Sequence, residues 1–506
     1  MFLLPKMMRI LNTKQIKEID AYTLQQEGIP SIDLMERACR AFVTWFVQRI
    51  DATKKIGVVC GTGNNGGDGL GIARLLEDWG YPVKVWIVRG LVPESPDFKT
   101  NLERIKDKVE VTDIIKESDQ RLFSDRDVII DAIFGSGLSR PAEGLYAYVI
   151  SVINQAPALR IAVDIPSGLQ ADANSSGAIV KAHYTISFEL PKLIFFLPQS
   201  HPFAGEWVLV DIGLDKKFIL ETSSTYRYTR LKDVRRIIRV RSKYDHKGTF
   251  GHALLIAGSY GKMGAAILAS RASLRAGLGL LTVHIPECGY QILQTAVPEA
   301  MVEVDKDLKI FSRIPDLSHY TTVGLGPGLG QDERTKNALA QTLETFNKPM
   351  VIDADALNIL AANRHLLDRI PPGSILTPHP KEFERLVGPW SDDFERLEKQ
   401  KQLASSLKSI IVLKGAHTSI ATEKGLVYFN STGNPGMATG GAGDVLTGVI
   451  TGLLAQQYSS EEAAIAGVFL HGLAGDLALA DFGTDSLIAS DLIDYLPRAF
   501  LKVTRK

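Results

Sequence analysis

The sequence has 506 residues, of which 57 are Lys or Arg and 57 are Asp or Glu, so its formal net charge is zero. A neutral chain lacks the basic surplus that binding to nucleic acid or to an anionic membrane requires. With 45% hydrophobic and 23% charged residues, it has the composition of a folded globular protein, which excludes a disordered, collagenous or coiled-coil chain.

The 3 cysteines, Cys39, Cys60 and Cys288, are too scattered to form a disulfide framework or a metal knuckle. A reducing compartment is the simplest interpretation. The first residues are too soon interrupted by charge for a signal peptide, and no apolar run reaches the ~20 residues that cross a bilayer. We therefore expect a cytoplasmic protein whose partners include neither membrane nor nucleic acid.

The first half alternates helical patterns with short apolar runs. Helices are predicted over Thr13–Glu27 and Ser31–Ile50, with Ser31 as the N-cap of the second. The runs with the length of a buried strand are Lys55–Cys60, Pro82–Val88, Asp127–Ile133, Arg160–Ile165, His183–Phe188 and Trp207–Ile212. Unbroken Val/Ile runs that alternate with helices are typical of a parallel sheet covered on both faces.

A polar stretch at residues 215–225 loses this pattern, and we interpret it as a linker between domains at 1–214 and 226–506. Strand candidates in the second half are His252–Ala257, Leu280–Ile285, Thr321–Leu325, Met350–Asp353, Ser374–Thr377, Ile410–Leu413, Thr418–Ala421 and Leu426–Phe429. Residues 442–496 are predicted to be helical. The fold class is therefore α/β, with two three-layer αβα domains.

The first strand candidate leads into a glycine-rich turn, Gly61–Gly69, and a helix is predicted to begin near Leu70. Backbone N–H groups converge at such a turn, and the helix dipole favours an anion there. The spacing matches neither a GxGxxG fingerprint nor a P-loop. Glycines alone fit a plain strand-to-helix turn equally well, but Asn64, Asn65 and Asp68 place polar side chains where open α/β sheets bind ligands.

Two further polar loops follow predicted strand ends. Asp131 ends one strand, and the loop from it to Pro141 carries glycines, serines and Arg140, which suit phosphate contacts. Asp164 ends the next strand and precedes an Ile-Pro pair. We expect desolvation to raise the pKa of Asp164, as a general acid–base requires. The alternative is that each aspartate caps a turn or helix.

Together, Asn64–Asp68, Asp131–Pro141 and Asp164–Gly168 resemble the NAD(P)H-hydrate epimerase domain, over about residues 12–214. The resemblance implies a Rossmann-like fold that binds hydrated NAD(P)H, called NAD(P)HX. The hydrate would be bound by Asn64, Asn65, Gly66, Gly67, Asp68, Gly135, Ser136, Gly137, Leu138, Ser139, Arg140, Pro141 and Asp164. Potassium would be bound by Asn65, Asp131 and Ser167, whose oxygen atoms suit a hard ion. Asp164 is our candidate for the catalytic acid.

The strongest motif of the second half is Gly440–Asp444, ahead of a long apolar helix predicted from about Leu446. Glycines at a helix start expose backbone N–H groups to an anion. A carboxylate beside them can take a proton from an attacking hydroxyl. The alternative is a flexible loop in which Asp444 caps the helix.

Gly440–Asp444 resembles the anion hole of the ribokinase-like kinases. Further motifs narrow the resemblance to the ADP-dependent NAD(P)H-hydrate dehydratase domain: Asp245–Gly251, Gly258–Ala265, Gly324–Gly330, Asp353–Ala356, Thr377–Glu382 and Lys414–Thr418. The resemblance covers about residues 226–504 and implies a ribokinase-like fold, ADP as co-substrate and Mg²⁺ as cofactor. Lys381 stands where that family usually has a glycine.

The same resemblance implies the residues of this second site. AMP or ADP would be bound by Lys414, Gly415, Ala416, His417, Thr418 and Gly443. The hydrate would contact Ala265, Gly328, His379 and Asp444, although a histidine placed like His379 also fits a surface loop. Asp444 would be the catalytic base. Asp353, Asp355 and Glu382 are candidate Mg²⁺ ligands or structural residues.

Both resemblances imply one task, the repair of hydrated NADH and NADPH. The isomerase half would interconvert R- and S-NAD(P)HX, and the lyase half would convert the S form to NAD(P)H while ADP becomes AMP and phosphate. Members of these families assemble, so we expect a homo-oligomer. The alternative is a vitamin or sugar kinase fused to a non-catalytic nucleotide- or RNA-binding module.

Overall fold

The computed structural model describes residues 7–90, 93–117 and 121–505. Within them the chain divides into two compact units. The smaller unit comprises residues 9–224 and 392–394. The larger unit comprises residues 7–8, 225–391 and 395–505. Strand β1, Met8–Ile10, begins in the larger unit.

The smaller unit contains a sheet of 7 parallel strands. The strands are β2 Ile56–Cys60, β3 Val83–Val88, β4 Glu110–Ile114, β5 Val128–Ala132, β6 Leu159–Val163, β7 Tyr184–Phe188 and β8 Glu206–Val210. Their order across the sheet is β4-β3-β2-β5-β6-β7-β8. The helices are α1 Thr13–Glu27, α2 Ser31–Val47, α3 Asn64–Asp78, α4 Pro96–Ile105, α5 Leu145–Gln155, α6 His201–Ala204 and α7 Lys216–Glu221.

Helices cover both faces of this sheet. Neighbouring residues of a strand point to opposite faces, and here Val58 packs in the cluster of Phe42 from α2, whereas Val59 packs in the cluster of Ile150 from α5. The sheet and the helix faces that pack on it are buried, and each Val or Ile taken fully out of water contributes about 1.5–3 kcal/mol. The predicted three-layer arrangement is confirmed for this unit.

The larger unit is built around a sheet of 11 strands in the order β1-β9-β18-β17-β16-β15-β14-β13-β10-β11-β12. Its strands beyond β1 are β9 Tyr226–Thr229, β10 His252–Ile256, β11 Leu280–Ile285, β12 Met301–Val304, β13 Thr322–Leu325, β14 Val351–Ile352, β15 Ile375–Leu376, β16 Ile410–Leu413, β17 Ser419–Ala421 and β18 Val427–Asn430. The pairs β16–β17 and β17–β18 are antiparallel, and the run from β12 to β16 is parallel.

The helices of this part of the chain include the long apolar α15 and α16. In order they are α8 Leu231–Ile237, α9 Met263–Arg275, α10 Tyr290–Ala296, α11 Glu333–Thr345, α12 Ala354–Ala362, α13 Pro380–Val387, α14 Asp393–Ser406, α15 Ala442–Ala455, α16 Ser460–Ser486 and α17 Ala489–Thr504. By length and composition α16 could cross a membrane, but 72% of its most apolar window is buried inside the protein, as in the core helix of a globular domain.

The predicted strands are confirmed to within two residues at each end, and strands β1, β4, β9 and β12 were not predicted. Ser31 is not an N-cap: α2 begins at Ser31 after Pro30, and the Ser31 hydroxyl donates to Asp97 at 2.9 Å. Residues 215–225, which we interpreted as a linker, contain α7.

Helices α9 and α15 pack so closely that glycine is required between them. A Cβ atom on Gly448 would lie 2.2 Å from the carbonyl oxygen of Ala269. The Ser273 hydroxyl fills the remaining space and donates to the Gly448 carbonyl at 2.9 Å. This contact aligns α15, whose first turn carries the Gly440–Asp444 motif.

We therefore expect Gly448→Ala to destabilise the larger unit by about 1–3 kcal/mol, because the added methyl overlaps backbone that has little room to move. Gly264→Ala on α9 is the matched control, since a Cβ there meets nothing within 4 Å. Urea unfolding of both variants measures the difference. Equal stability would contradict the close packing.

Candidate functional site

The smaller unit has a cavity of about 880 Å³ at the carboxyl ends of its strands. Of the predicted site residues, it is lined by Asn64, Asn65, Asp68, Gly135, Ser136, Gly137, Leu138, Ser139, Arg140, Pro141 and Asp164. Gly66, Gly67, Asp131 and Ser167 lie behind this lining and are buried. The three predicted loops thus meet at one place, and Tyr146, whose ring packs against Phe134 at a tilt of 53°, joins them.

The Asn64–Asp68 segment is the first turn of α3, so the predicted helix start near Leu70 is wrong by six residues. The backbone at Gly66 is so close to Gly61 that a Cβ would lie 1.9 Å from the Gly61 carbonyl oxygen. The N-cap residue Gly63 supplies no side-chain cap. The N–H groups of this turn are therefore available to a ligand in the cavity.

Asp131 and Ser167 form a buried pair behind the cavity. The Ser167 hydroxyl donates to Asp131 Oδ1 at 2.6 Å, and the Ser167 N–H donates to Oδ2 at 2.8 Å. Burial raises the pKa of Asp131 to about 6, although these hydrogen bonds oppose the rise. Among the described residues no lysine or arginine is paired with Asp131, so its negative charge has no counter-charge from a described side chain.

Asp164 follows β6 in a left-handed backbone conformation, with φ of 66°. Its Oδ1 accepts hydrogen bonds from Lys192 Nζ, from the Phe188 N–H at 3.3 Å and from the Ser187 hydroxyl at 3.4 Å. Burial favours the neutral acid, but the charge and hydrogen bond of Lys192 outweigh it and lower the pKa of Asp164. The predicted raised pKa of Asp164 is wrong, because the sequence argument did not include this lysine.

Lys192 is buried, with 2% of its surface exposed. Besides Asp164, its ammonium donates to the Ser187 hydroxyl at 2.8 Å and to the Leu190 carbonyl at 3.4 Å. An ammonium group has three donors, and all three are used here. No motif marked Lys192. The only sequence signal was a lysine inside the apolar stretch 190–197, where an unpaired charge would be costly.

The second missed feature is a group of carboxyls around Asp164. Asp20 on α1 and Asp68 on α3 both line the cavity. Burial and the charge of Asp164 raise the pKa of Asp20 to about 6, and the pKa of Asp68 is raised by burial, by Asp164 and by further carboxyls. This end of the cavity therefore combines one ionised carboxylate with two carboxyls that hold a proton readily.

The larger unit has its own cavity, of about 510 Å³. It is lined by Gly261, Lys262, Gly264, Ala265, Leu268, Gly328, Ala354, Asp355, Asn358, Glu382, Gly440, Gly441 and Asp444. Three of the four predicted hydrate contacts, Ala265, Gly328 and Asp444, are among them. His379 is not, but it contacts Glu382, which is.

The Gly440–Asp444 motif leads into α15, which begins at Ala442 and not near Leu446. Gly441 is its N-cap in a left-handed conformation, with φ of 89° and no side-chain cap. A Cβ on Gly443 would lie 3.4 Å from Lys414 Nζ and 3.8 Å from Asp353 Oδ2. The uncapped helix end and a lysine ammonium therefore flank the same space, which is suited to a phosphate group.

Asp353 holds this lysine in place. The Lys414 ammonium lies 2.9 Å from Asp353 Oδ1, and the Thr447 hydroxyl of α15 donates to Oδ2 at 2.6 Å. Asp353 in turn is fixed by backbone packing, because a Cβ on Gly326 would lie 1.8 Å from the Asp353 carbonyl oxygen. Asp353, a predicted metal ligand or structural residue, thus lies between Lys414 and α15.

Asp444 lies in the first turn of α15 and lines the cavity. Burial and the neighbouring charge of Asp353 raise its pKa to about 6, although Lys414 opposes the rise. A carboxylate with such a pKa is mostly ionised at neutral pH and still accepts a proton well. Asp444 therefore has the protonation behaviour of a general base.

The remaining predicted nucleotide residues, 414–418, form the turn between β16 and β17. The Thr418 hydroxyl donates to the Gly415 carbonyl at 3.1 Å, and His417 Nδ1 lies 3.3 Å from the Asn430 carbonyl oxygen. The turn adjoins the α15 end through Lys414. Ala416 is exposed and Thr418 is half-buried, so a ligand can reach the turn.

His379 caps α13 and is partly exposed. Its Nδ1 accepts from the N–H groups of Lys381 at 3.1 Å and Glu382 at 3.4 Å, while Glu382 accepts from the His379 N–H at 2.8 Å. Burial lowers the pKa of His379, so the ring is mostly neutral at pH 7. Lys381, which departs from the family pattern, is exposed and leaves this cap intact.

Two α/β units, each with a cavity at strand ends and an uncapped helix facing it, define a two-domain enzyme for anionic small molecules. Family models match both parts: "YjeF-related protein N-terminus" over residues 31–194 and "NAD(P)H-hydrate dehydratase" over residues 253–498.

Full-length relatives have the same two parts. The bifunctional NAD(P)H-hydrate repair enzyme of Thermofilum pendens is 37% identical over 97% of this chain and 96% of that protein. The enzyme of the same name from Coxiella burnetii is 36% identical over 96% of this chain and 98% of that protein. A solved ADP/ATP-dependent NAD(P)H-hydrate dehydratase from Bacillus subtilis, co-crystallised with ATP and Mg²⁺, is 34% identical and covers 54% of this chain and 97% of that one, with a TM-score of 0.48.

The chain belongs to the family of bifunctional NAD(P)H-hydrate repair enzymes. The predicted family, the predicted enzyme class and the α/β fold with a Rossmann-like and a ribokinase-like domain are confirmed.

The Lys192–Asp164 pair makes a prediction about stability. Lys192→Met leaves the Asp164 carboxylate buried without its counter-charge, and we expect the smaller unit to lose about 3–5 kcal/mol at pH 7. Lys181→Met, which removes an exposed lysine, should change stability by no more than about 0.5 kcal/mol. Urea unfolding gives both values.

The effect should depend on pH. Because the pair lowers the pKa of Asp164 below its unfolded value, its contribution is present at neutral pH and is lost as the pH falls through the folded-state pKa. The difference between Lys192→Met and wild type should therefore shrink in acid. A difference that is absent at pH 7 would show that the ion pair does not form.

Proposed function

We propose that residues 1–214 carry the epimerase and residues 226–506 the dehydratase, joined by residues 215–225. The observation that supports the dehydratase best is Asp444, a half-buried carboxylate with a pKa of about 6 at the glycine-capped start of α15, next to Lys414. For the epimerase it is the convergence of the three sequence-predicted loops on one cavity.

The epimerase reaction inverts the ring carbon that carries the hydroxyl, next to the ring nitrogen. An acid protonates the hydroxyl, water leaves, and the nitrogen lone pair forms an iminium cation. Water then adds to the opposite face. We propose that ionised Asp164 stabilises this cation, since a carboxylate close to a developing positive charge lowers its energy. The uncapped start of α3 and the loop at 135–141 would hold the dinucleotide.

The residues Asn65, Asp131 and Ser167 fit a potassium ion. All three offer oxygen atoms, which suit a hard cation. Asp131 is a buried carboxylate without a cationic side-chain partner among the described residues. A bound potassium ion would supply the counter-charge and orient the loop after β5. Asn65 would connect the ion to the cavity, since it lines the cavity while Asp131 and Ser167 are fully buried.

In the dehydratase, Asp444 takes the proton from the hydroxyl of S-NAD(P)HX, and the hydroxyl oxygen forms a bond to the terminal phosphorus of ADP as AMP leaves. The α15 N–H groups and Lys414 stabilise the transferred charge. Phosphate is then expelled by the ring nitrogen, and loss of a proton from the adjacent ring carbon restores NAD(P)H. Ala265, Gly328 and His379 would hold the hydrate, and Lys414–Thr418 with Gly443 would hold the nucleotide.

The carboxylates of this cavity fit Mg²⁺ in the way that nucleotide enzymes use it. Asp355 and Glu382 line the cavity with Asp444, whereas Asp353 is engaged by Lys414. Within the described residues no cluster of three or more acidic, His or Cys side chains forms a cage of its own. Mg²⁺ commonly binds through one or two carboxylates plus phosphates, where it neutralises phosphate charge. We also propose a cytoplasmic location and a homo-oligomeric assembly.

Recovery of NADH absorbance from a mixture of R- and S-hydrates, with ADP and Mg²⁺, tests both activities. We expect wild type to give a first phase from the S form and a second phase from the R form. In Asp444→Asn the rate of the first phase should fall by about 100- to 10,000-fold, because no base takes the hydroxyl proton. The second phase also ends in dehydration, so the total recovery of NADH should fall with it.

Asp494→Asn is the matched control, since it makes the same change at an exposed position of α17. It should recover NADH like wild type. A stable phosphorylated product, with no return of absorbance, would favour the kinase alternative. Full recovery by Asp444→Asn would remove the assigned role of Asp444.

If potassium binds at this site, changes to the site should alter the rate of the second phase and leave the first phase unchanged. Ser167→Ala removes one proposed ligand and should raise the potassium concentration for half-maximal second-phase rate by about 10- to 100-fold. Ser151→Ala, on the exposed side of α5, should leave it unchanged. A wild-type second phase that is equally fast with tetramethylammonium as the only monovalent cation would contradict a functional potassium site.

A further inference from the structure

Helix α1 presents one face to the cavity of the smaller unit. The residues that line the cavity are Thr13, Ile16, Lys17 and Asp20. Their spacing of three, four and seven positions places them on one side of a helix. None of them belongs to the motifs that sequence analysis connected with this site.

This face is held in a fixed position. The Thr13 hydroxyl donates to the Ser136 carbonyl at 3.3 Å, and the Thr13 N–H donates to Asp172 at 2.7 Å. In the same helix, the neighbouring residues Ile19 and Thr23 are buried at 0% and 1% exposure. Asp20 is therefore placed at the cavity by a packed helix and not by a mobile loop.

The surroundings of Asp20 set its protonation. Two charged groups on neighbouring elements, Asp164 and Lys192, shift the pKa of Asp20. The charge of Asp20 in turn contributes to the raised pKa of Asp68 on α3. Lys17 lies one turn before Asp20 in the same helix, α1. Burial and Asp164 raise the pKa of Asp20 to about 6, while Lys192 opposes the rise. Asp20 can therefore both give and take a proton near neutral pH.

We propose that Asp20 is the catalytic acid–base of the epimerase reaction, an inference that rests on the proposed function of this cavity. Asp164 is excluded from this role because its carboxylate is held ionised by Lys192. Asp164 instead supplies negative charge next to the iminium, and Lys192 is the positioning residue that fixes it. One aspartate, Asp20, therefore transfers the proton, and another, Asp164, balances the positive charge of the iminium.

The steps balance in protons and electrons. The Asp20 carboxyl gives its proton to the hydroxyl oxygen, the carbon–oxygen bond breaks with its electron pair on the departing water, and the ring nitrogen forms a double bond to carbon. Water then forms a new bond on the opposite face, the electron pair returns to nitrogen, and the excess proton goes to the Asp20 carboxylate. The cavity, at about 880 Å³, has room for a second water molecule that relays this proton.

The test uses the full chain and the two-phase recovery of NADH from mixed hydrates with ADP and Mg²⁺. In Asp20→Asn we expect the second phase to slow at least 100-fold, toward the rate of spontaneous epimerisation, while the first phase stays as in wild type. Glu18→Gln is the matched control: it removes an exposed carboxylate from the same helix and should leave both phases unchanged. Asp20→Glu should restore part of the second phase.

The outcomes separate this inference from the proposed function. A second phase of wild-type rate in Asp20→Asn overturns the role of Asp20, and loss of that phase in Asp68→Asn but not in Asp20→Asn transfers the role to Asp68. A wild type that lacks the second phase altogether contradicts the epimerase itself. Thermal unfolding checks folding: replacing a partly desolvated carboxyl by an amide should leave the smaller unit at least as stable, so a large loss of stability would also count against this placement of Asp20.

Discussion

In both units a glycine directly after one parallel strand lies against the residue directly after the neighbouring strand. Gly61 follows β2, and a Cβ on it would lie 2.1 Å from the Ile133 carbonyl oxygen, just after β5. Gly326 follows β13, and a Cβ on it would lie 1.8 Å from the Asp353 carbonyl oxygen, just after β14. No other amino acid fits such an approach. Both sites depend on it, because it fixes the positions of the loops that follow β5 and β14, beside Asp131 and Asp353.

The two cavities use buried carboxylates in contrasting ways. Asp164 is ionised because Lys192 compensates it, and Asp353 is compensated by Lys414 and Thr447. Asp20 and Asp444 have no such strong compensation, and burial raises the pKa of each to about 6. A compensated carboxylate supplies fixed charge, whereas an uncompensated one exchanges protons. The assignment of roles in both reactions follows from this difference.

Much of the fold could be predicted because buried parallel strands are continuous apolar runs. Strands β4 and β12 escaped prediction because each lies at a sheet edge, where one face meets solvent and charged residues interrupt the run, as in Glu110-Val-Thr-Asp-Ile114. The loops at 64–68, 131–141 and 164–168 could be placed together because they follow neighbouring strands. The pKa of Asp164 could not be predicted, since Lys192 is 28 positions away and reaches it only in the folded chain. The role of Asp20 could not be predicted, because a single aspartate on an amphipathic helix belongs to no motif and does not differ in the sequence from a solvent-exposed carboxylate.

Several helices whose residues line neither cavity have a side-chain cap: Ser95 caps α4, Asp332 caps α11 and Ser459 caps α16. Helices α3 and α15, which face the cavities, begin with glycine and have none. A glycine N-cap costs a helix only about a few tenths of a kcal/mol relative to a capping side chain. A bound anion would accept hydrogen bonds from the N–H groups that such a cap would otherwise satisfy, and it would stabilise the first turns of α3 and α15. Amide hydrogen exchange at these two turns should therefore slow when each site is occupied. The bound substrate would then act as the missing cap of the helix that faces it.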